Sequence, residues 1–372
     1  MHGKSLYELY SEQAESYYGI KYKAEDLFSF DLDISQVRCR EFLHNHYMKG
    51  KKAALLSSTV FDQYEQNGKH IHSASLYLLG KALLSVFQGH LGRELGVFLP
   101  HYMKWHDHSW DFLHTWYLPS MFHDFASCVE LSTINKDDSE RHKSLSFHLG
   151  NHNIQYSPYG NFPYKSEEIP FRFSAELIEN YFYYRACNGK CDHGIIAGLL
   201  FFDRFIKNFK RHTNGGGKVF DEDGNMIISD LNWNIDLPMY AAYAADSIIC
   251  HNIWMGSKSK EEEYIEYGLA PLLYNRHPEN KLSVNKFPLQ FMLCILDTIE
   301  PTKRFSEFHS PRGILQAIYI KTDSDMEISL GWDDLISESD NFQQWLSGIK
   351  SMEDWMDVSV EIGACGVKIK FR

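Results

Sequence analysis

The chain has 372 residues, 44% of them hydrophobic and 23% charged, a balance typical of a globular protein with a large core. Its formal net charge of −12 argues against non-specific binding to nucleic acid or anionic lipid, because both require a basic surface. No run reaches the roughly 18 consecutive apolar residues of a membrane helix, and the amino terminus is too polar for a secretory signal. Together with seven scattered cysteines, these features predict a cytoplasmic protein that does not bind membranes.

Apolar residues at helical spacing predict a helix over 71–87, and a second helix is expected over 105–127. Pro119 should kink or break the second one, because proline cannot donate a backbone hydrogen bond. The following segment, 131–170, is polar and contains Gly, Pro and Asn, which predicts a long excursion. Four further helices are then expected, over 174–189, 192–211, 239–254 and 287–300.

The pattern changes after about residue 305, where apolar and polar positions alternate in short runs. We predict strands in "GILQAIYIKT" (313–322) and "MEISLGW" (326–332), a short helix over 341–349, and two closing strands within 357–372. The chain is therefore predicted to be mostly α, with a helical domain over 1–304 and a small α+β unit over 305–372.

Histidine is unusually common, with 19 copies, and several interrupt apolar helices together with aspartate. The spacing between them lets one helix end and another return, so that several helices can direct ligands to a shared point. The residues concerned are His72, His123, Asp124, His193, His251 and Asp297.

Each of these residues also has a simpler interpretation. A single histidine such as His72 or His251 is more often a hydrogen-bonded core residue than a ligand. Asp192 is expected to cap the helix that His193 begins. Lys303 and Arg304 are cations near a helix carboxyl terminus, where the helix dipole favours positive charge.

The ordered set of segments resembles the HD-domain metal-dependent phosphohydrolase superfamily over about residues 60–305. "HIHSASLYLLG" looks like the helix of the first histidine, and "SMFHDFAS" looks like the His-Asp doublet. "DHGIIAGLLFF" and "ADSIICHNIW" look like the intermediate histidine segments, and "FPLQFMLCILDTIEPTKR" looks like the late aspartate helix. The chain departs from the family where many relatives continue the doublet as HD-x-G, since it has "HDFASC" there.

The resemblance implies an HD-type helical bundle that hydrolyses a small phosphate ester, with a nucleotide or cyclic nucleotide as the expected substrate, by attack of a metal-bound hydroxide. It implies that the six residues hold one or two divalent ions, with Asp124 as a bridge. Mixed His and Asp ligands suit Fe, Mn, Ni, Co or Zn, with Mg as a further option. A homodimer is left open.

Further roles follow from the same resemblance. Lys303 or Arg304 is expected to steady the phosphate. A second His-Asp dipeptide at 106–107 competes with the first but lies in a polar setting, so His106, His108 or His114 is expected to line the cavity or to protonate the leaving oxygen.

Two alternatives stay open at this stage. The chain could be a nucleotide-binding sensor or interaction module with weak turnover, an interpretation that the altered "HDFAS" motif favours. It could also perform a different metal chemistry, such as that of a di-iron oxygenase, because the type of ligand does not fix the reaction.

Overall fold

The computed structural model describes most of the chain after residue 168 and shorter parts before it. The described ranges are 3–13, 69–83, 85–91, 108–127, 140–160, 169–214, 226–228, 231–233, 237–254, 260–305, 311–324 and 326–372.

Helices dominate the described chain before residue 305. They are α1 (Leu6–Gln13), α2 (Lys69–Ala82), α3 (His108–Phe122), α4 (Glu140–Lys143), α5 (Leu145–Asn151), α6 (Ala175–Cys187), α7 (His193–Asn214), α8 (Leu237–Cys250), α9 (Glu261–Glu266) and α10 (Pro288–Ile299). A further helical segment covers 85–91, and single 3-10 turns cover Ala270–Leu272 and Pro278–Asn280. Strands β2 (Met226–Ile228) and β3 (Leu231–Trp233) pair as a small hairpin. Among the described helices, none has the length and apolarity needed to cross a bilayer.

The described chain also contains a five-stranded antiparallel sheet, with one strand before α1 and four strands after residue 317. It contains β1 (Lys4–Ser5), β4 (Ile318–Ser324), β5 (Glu327–Trp332), β6 (Val358–Gly363) and β7 (Gly366–Phe371), in the order β1-β4-β5-β7-β6. Helices α11 (Pro311–Ala317), α12 (Asp334–Ser337) and α13 (Asp340–Trp355) accompany the strands. The expected mostly helical chain with a small sheet is therefore confirmed.

One face of the sheet is apolar and packs on the helices. Ile328, Ile369 and Val360 are paired across three strands, and all three side chains are buried. On β7, the Phe371 ring stacks on Phe87 and meets Phe291 of α10 edge to face. The sheet and the helical body thus share one hydrophobic core.

The amino terminus contributes to the same sheet, which the sequence did not predict. Lys4 and Ser5 pair with Ile320 and Tyr319 of β4. The sheet therefore draws residues from both ends of the chain. The division at residues 304 and 305 stays a prediction.

Three local predictions differ from the structure. The segment 313–322 was expected to be a strand, but α11 ends only at Ala317 and the strand starts at Ile318. Pro119 does not break α3, which continues to Phe122, and the His123 amide donates to the Pro119 carbonyl at 3.0 Å; a kink at Pro119 stays a prediction. The helix expected over 341–349 is longer than predicted, since α13 covers Asp340–Trp355.

Part of the 131–170 segment is described, and a buried carboxylate holds it on α7. Asp203 is fully buried and accepts hydrogen bonds from the backbone amides of Gln155 at 2.7 Å and Tyr156 at 3.1 Å. The ammonium of Lys207 lies 2.8 Å from the same carboxylate. The chain that follows α5 is thereby fixed to α7.

A second buried carboxylate, Asp246 on α8, holds the same segment. The Tyr159 hydroxyl donates to Asp246 at 2.6 Å, and the Arg172 amide approaches the other oxygen at 3.5 Å. Burial raises the pKa of Asp246 to about 6, although these hydrogen bonds oppose the shift. Asp246 therefore titrates close to neutral pH.

Candidate metal centre

The structure brings the six predicted metal-type residues together in one buried cluster, here called the His/Asp cluster. Ring centroids of neighbouring histidines are 5.2 to 5.3 Å apart along the series His72, His123, His251, His193. The two carboxylates of the cluster face this row of rings. The cluster comprises His72, His123, Asp124, His193, His251 and Asp297.

His72 lies on the inner face of α2. Leu76 and Leu79 follow it at helical spacing, and all three are buried, so the helix must present His72 to the interior. Its Nε2 atom is 2.9 Å from Asp297 Oδ1, and its Nδ1 atom is 2.6 Å from Glu300 Oε2. Burial would lower the pKa of His72, but the hydrogen bonds to Asp297 and Glu300 outweigh it and raise the pKa.

His123 and Asp124 lie in the turn directly after α3, and both are fully buried. His123 Nδ1 donates to the Ser120 carbonyl at 3.1 Å, because a carbonyl can only accept. In the neutral ring the lone pair is then on Nε2, which points at Asp297 Oδ1 at 3.5 Å. Burial lowers the pKa of His123, which favours this neutral form.

His193 begins α7 and His251 follows the end of α8. Glycines allow these two helices to approach closely, because a Cβ at Gly194 would lie 2.9 Å from the His251 ring. A Cβ at Gly198 would similarly lie 2.8 Å from the backbone oxygen of Ala245. The G-x-x-x-G spacing at 194–198 thus places His193 beside His251.

The orientation and charge of His251 are also fixed. Its Nδ1 atom donates to the Ile248 carbonyl at 2.6 Å, so Nε2 carries the lone pair. Burial, together with His193 and His123 nearby, lowers the pKa of His251 to about 3. A neutral imidazole is the form that binds metal ions.

Asp297 lies on α10, and Lys303 lies in the turn after that helix. The Lys303 ammonium is 3.3 Å from Asp297 Oδ1 and 3.5 Å from Asp124 Oδ2. Burial would lower the pKa of Lys303, but the two carboxylates outweigh it and raise the pKa. Burial would likewise raise the pKa of Asp297, but Lys303 and the two imidazoles hold it well below its usual range. Asp297 is therefore held in its ionised form, and the Lys303 cation lies against the cluster.

On one side of the cluster, the separations among His72, His123 and Asp297 are close to those of ligands to a single ion, and the separations to Asp124 are longer. Two ligand atoms about 2.1 Å from one ion lie roughly 3.0 to 3.4 Å apart for octahedral or tetrahedral angles. His72 Nε2 lies 3.2 Å from His123 Nε2 and 2.9 Å from Asp297 Oδ1. Asp124 Oδ2 is 3.8 and 3.6 Å from the same two nitrogens. His72, His123 and Asp124 form a first group that can hold a metal ion. Asp297 Oδ1 lies beside this group, 2.9 Å from His72 Nε2 and 3.5 Å from His123 Nε2.

A second group shares Asp124 with the first. Asp124 Oδ1 is 3.0 Å from His193 Nε2, while Oδ2 faces His72 and His123. Ligand atoms of Asp124, His193 and His251 all lie within 4.8 Å of one another, so this group can also hold an ion. The two oxygens of one buried carboxylate are therefore divided between two groups of imidazoles.

The remaining predicted site residues differ in position. Lys303 reaches the cluster, whereas Arg304 is exposed in the same turn. His106 lies outside the described residues. His108 and His114 have described backbone in α3, but their side chains lie outside the described part of the chain. Asp192 caps α7, since its carboxylate accepts from the Ile195 amide at 3.0 Å.

Glu300, which is fully buried at the end of α10, was not predicted as a site residue from the sequence. The sequence did contain a signal for Glu300, because the helix dipole disfavours a carboxylate at a helix carboxyl terminus. A glutamate at this position therefore indicates a specific partner. Asn252 was missed as well. Its amide nitrogen lies 3.1 Å from His193 Nδ1, and its only signal was its place directly after His251.

Comparison with known proteins gives no relative: no family model, no curated protein and no solved structure matches this chain.

Proposed function

We propose that the protein is a metal-dependent phosphohydrolase that acts on a small phosphate ester, with nucleotides and cyclic nucleotides as the preferred candidates. The observation that carries the proposal is the position of Asp124 between two groups of buried imidazoles. Neighbouring ions bridged by a carboxylate are a common arrangement in enzymes that hydrolyse phosphate esters. Mixed imidazole and carboxylate ligands favour Fe, Mn, Ni, Co or Zn.

We infer further that the helical body is an HD-type bundle. The support is the order of the cluster residues along the chain. Each segment that the resemblance assigns to a ligand does supply a residue of the cluster: α2, the turn after α3, the start of α7, the end of α8, and α10.

Ions held in these two groups would lower the pKa of a water molecule and polarise a phosphoryl oxygen. In the hydrolysis, water adds to phosphorus, the P–O ester bond breaks, and the leaving oxygen takes up a proton. The part of Lys303 is to donate hydrogen bonds to the phosphoryl oxygens, because its ammonium lies within 3.5 Å of both cluster carboxylates. Its raised pKa keeps this group charged at neutral pH.

The reaction class is tested with protein first stripped by a chelator and then loaded with Mn, Fe, Co, Ni, Zn or Mg in turn. Hydrolysis is followed as p-nitrophenol released from p-nitrophenyl phosphate and bis-p-nitrophenyl phosphate, and by chromatography of the products formed from a panel of nucleotides and cyclic nucleotides. Hydrolysis that requires one of these metals and disappears in Asp297→Asn supports the proposal. Asp246→Asn is the matched control, because it makes the same change at a buried aspartate outside the cluster.

Two outcomes would contradict the proposal. Metal-loaded protein that binds nucleotides but hydrolyses none of these substrates would favour the sensor interpretation. Oxygen consumption by the Fe-loaded protein, without hydrolysis of any of these substrates, would favour an oxygenase.

A further inference from the structure

Both oxygens of Glu300 have specific partners, although the residue directly follows the mostly apolar helix α10. Oε2 accepts from His72 Nδ1 at 2.6 Å, and Oε1 accepts from the Ser75 hydroxyl at 2.5 Å. Glu300 and His72 are 228 positions apart in sequence, so the contact depends on the tertiary structure. Burial would raise the pKa of Glu300, but His72, Ser75 and a backbone amide outweigh it and lower the pKa.

The same carboxylate also fixes the turn that carries Lys303. The backbone amide of Thr302 donates to Oε1 at 3.0 Å, and that of Lys303 approaches Oε2 at 3.4 Å. With these contacts the turn folds back over the end of α10, and the Lys303 ammonium comes within 3.3 Å of Asp297. Glu300 is thus joined both to a metal-type histidine and to the cation of the cluster.

A third connection leads away from the cluster to the amino-terminal helix. The Tyr10 hydroxyl of α1 lies 3.3 Å from Ser75 Oγ, and Tyr10 is fully buried. Hydrogen bonds therefore run from Tyr10 through Ser75 and Glu300 to His72. The helix that follows strand β1 of the sheet is linked in this way to the His/Asp cluster.

We propose that Glu300 is a positioning residue of the metal centre, which holds the His72 ring and the Lys303 turn in place together. This inference rests on the proposed function. A carboxylate on the distal nitrogen of a ligand imidazole fixes the ring orientation and makes the other nitrogen a better ligand. Because Glu300 Oε2 accepts a hydrogen bond from Nδ1–H, His72 can present the lone pair of Nε2 to an ion in the first group.

The test compares wild type with Glu300→Gln by titration with Co²⁺, followed by the visible absorption of the bound ion. Loss of a carboxylate partner typically weakens metal binding by about 10- to 100-fold. We expect a loss of this size for one Co²⁺, with a changed spectrum, while the ion in the group of His193 and His251 is retained. Asp246→Asn, the matched acid-to-amide control, should bind Co²⁺ as wild type does.

Each alternative outcome has a distinct meaning. If Glu300→Gln lowers the melting temperature but keeps wild-type Co²⁺ affinity and spectrum, Glu300 is only structural, and the inference is wrong while the proposed function stands. If wild type binds no Co²⁺, both fail. Glu300→Asp keeps the charge but shortens the reach to His72, and should give an intermediate affinity. If Glu300→Gln does not fold, wild-type binding by Glu300→Asp would overturn the inference.

Discussion

Substitution of Gly194 by alanine should remove one metal ion while leaving the other bound. The added Cβ would lie 2.9 Å from His251 Cε1, 3.0 Å from His251 Nδ1 and 3.1 Å from the Ile248 oxygen. Ordinary carbon contacts begin near 3.5 Å, so the ring must retreat by about 0.5 Å or the two helices must separate. Either movement disturbs the hydrogen bond from His251 to Ile248, which is 2.6 Å long.

The size of this movement decides the outcome. Metal–ligand distances in well-formed metal sites vary by only about 0.2 Å. A shift of about 0.5 Å therefore moves His251 beyond coordination distance of the ion. We expect at least about a 10-fold loss of affinity for the ion held by Asp124, His193 and His251. Overpacking should also destabilise the fold by about 1 to 3 kcal/mol.

Gly198→Ala provides the matched control. Its Cβ would lie 2.5 Å from Ile249 Cγ1, 2.8 Å from the Ala245 oxygen and 3.0 Å from the Ile249 nitrogen. It therefore crowds the same helix interface at least as tightly, but away from His251. Both variants should lose stability in denaturant unfolding, but only Gly194→Ala should fall from about two ions to about one by elemental analysis. Two tightly bound ions in Gly194→Ala, or an equal loss in both variants, would refute the assignment of His251 as a ligand.

Three further predictions concern the surroundings of the cluster. The pKa of Asp246 rises from 3.8 to about 6 on folding, so the folded state keeps a proton that the unfolded state loses, and stability should fall as the pH rises from about 4 through 6. This pKa shift corresponds to about 3 kcal/mol in the free energy of unfolding. Asp246→Asn should remove that contribution from the pH dependence of the free energy of unfolding, measured with urea between pH 4 and 8. An unchanged pH dependence would be inconsistent with the titration of Asp246. Asp203→Ala should lower the free energy of unfolding by about 2 to 4 kcal/mol, because two backbone amides and Lys207 lose their acceptor. The metal content should not change. A loss of metal would show that the chain after α5 also supports the cluster. Lys303→Met should still bind its metal ions, because the substitution removes a cation that competes with them for the carboxylates. The rate of hydrolysis should fall by about 100-fold or more. An unchanged rate would exclude a role of Lys303 in the reaction.

Local chemistry explains why the helices were predictable. The helix expected over 174–189 has local signals at both ends, and α6 does begin after Ser174, whose hydroxyl accepts from the Leu177 amide at 3.2 Å. Gly189 has a φ of 81°, a conformation that side chains other than glycine rarely adopt. Both signals act within a few residues, so one sequence is enough to recognise them.

Contacts between distant parts of the chain account for the features that were missed. Lys4 and Ser5 form a strand only because β4 supplies its edge, and nothing in the local sequence specifies that partner. Residues 313–317 have apolar positions compatible with either a strand or a helix, and the structure makes them helical. In the cluster, the order of imidazoles and carboxylates was visible in the sequence, whereas the role of Glu300 appears only when α10 packs beside α2.

Metal content is the most direct test of the central claim, that Asp124 is shared between two ions. Wild type and Asp124→Asn would be stripped with a chelator, reconstituted with Mn, Fe, Co or Zn, freed of excess metal and measured by elemental analysis. We expect about two metal ions per chain in wild type and the loss of both in Asp124→Asn. Wild type that retains no ion after reconstitution, or Asp124→Asn that retains as many as wild type, would contradict it.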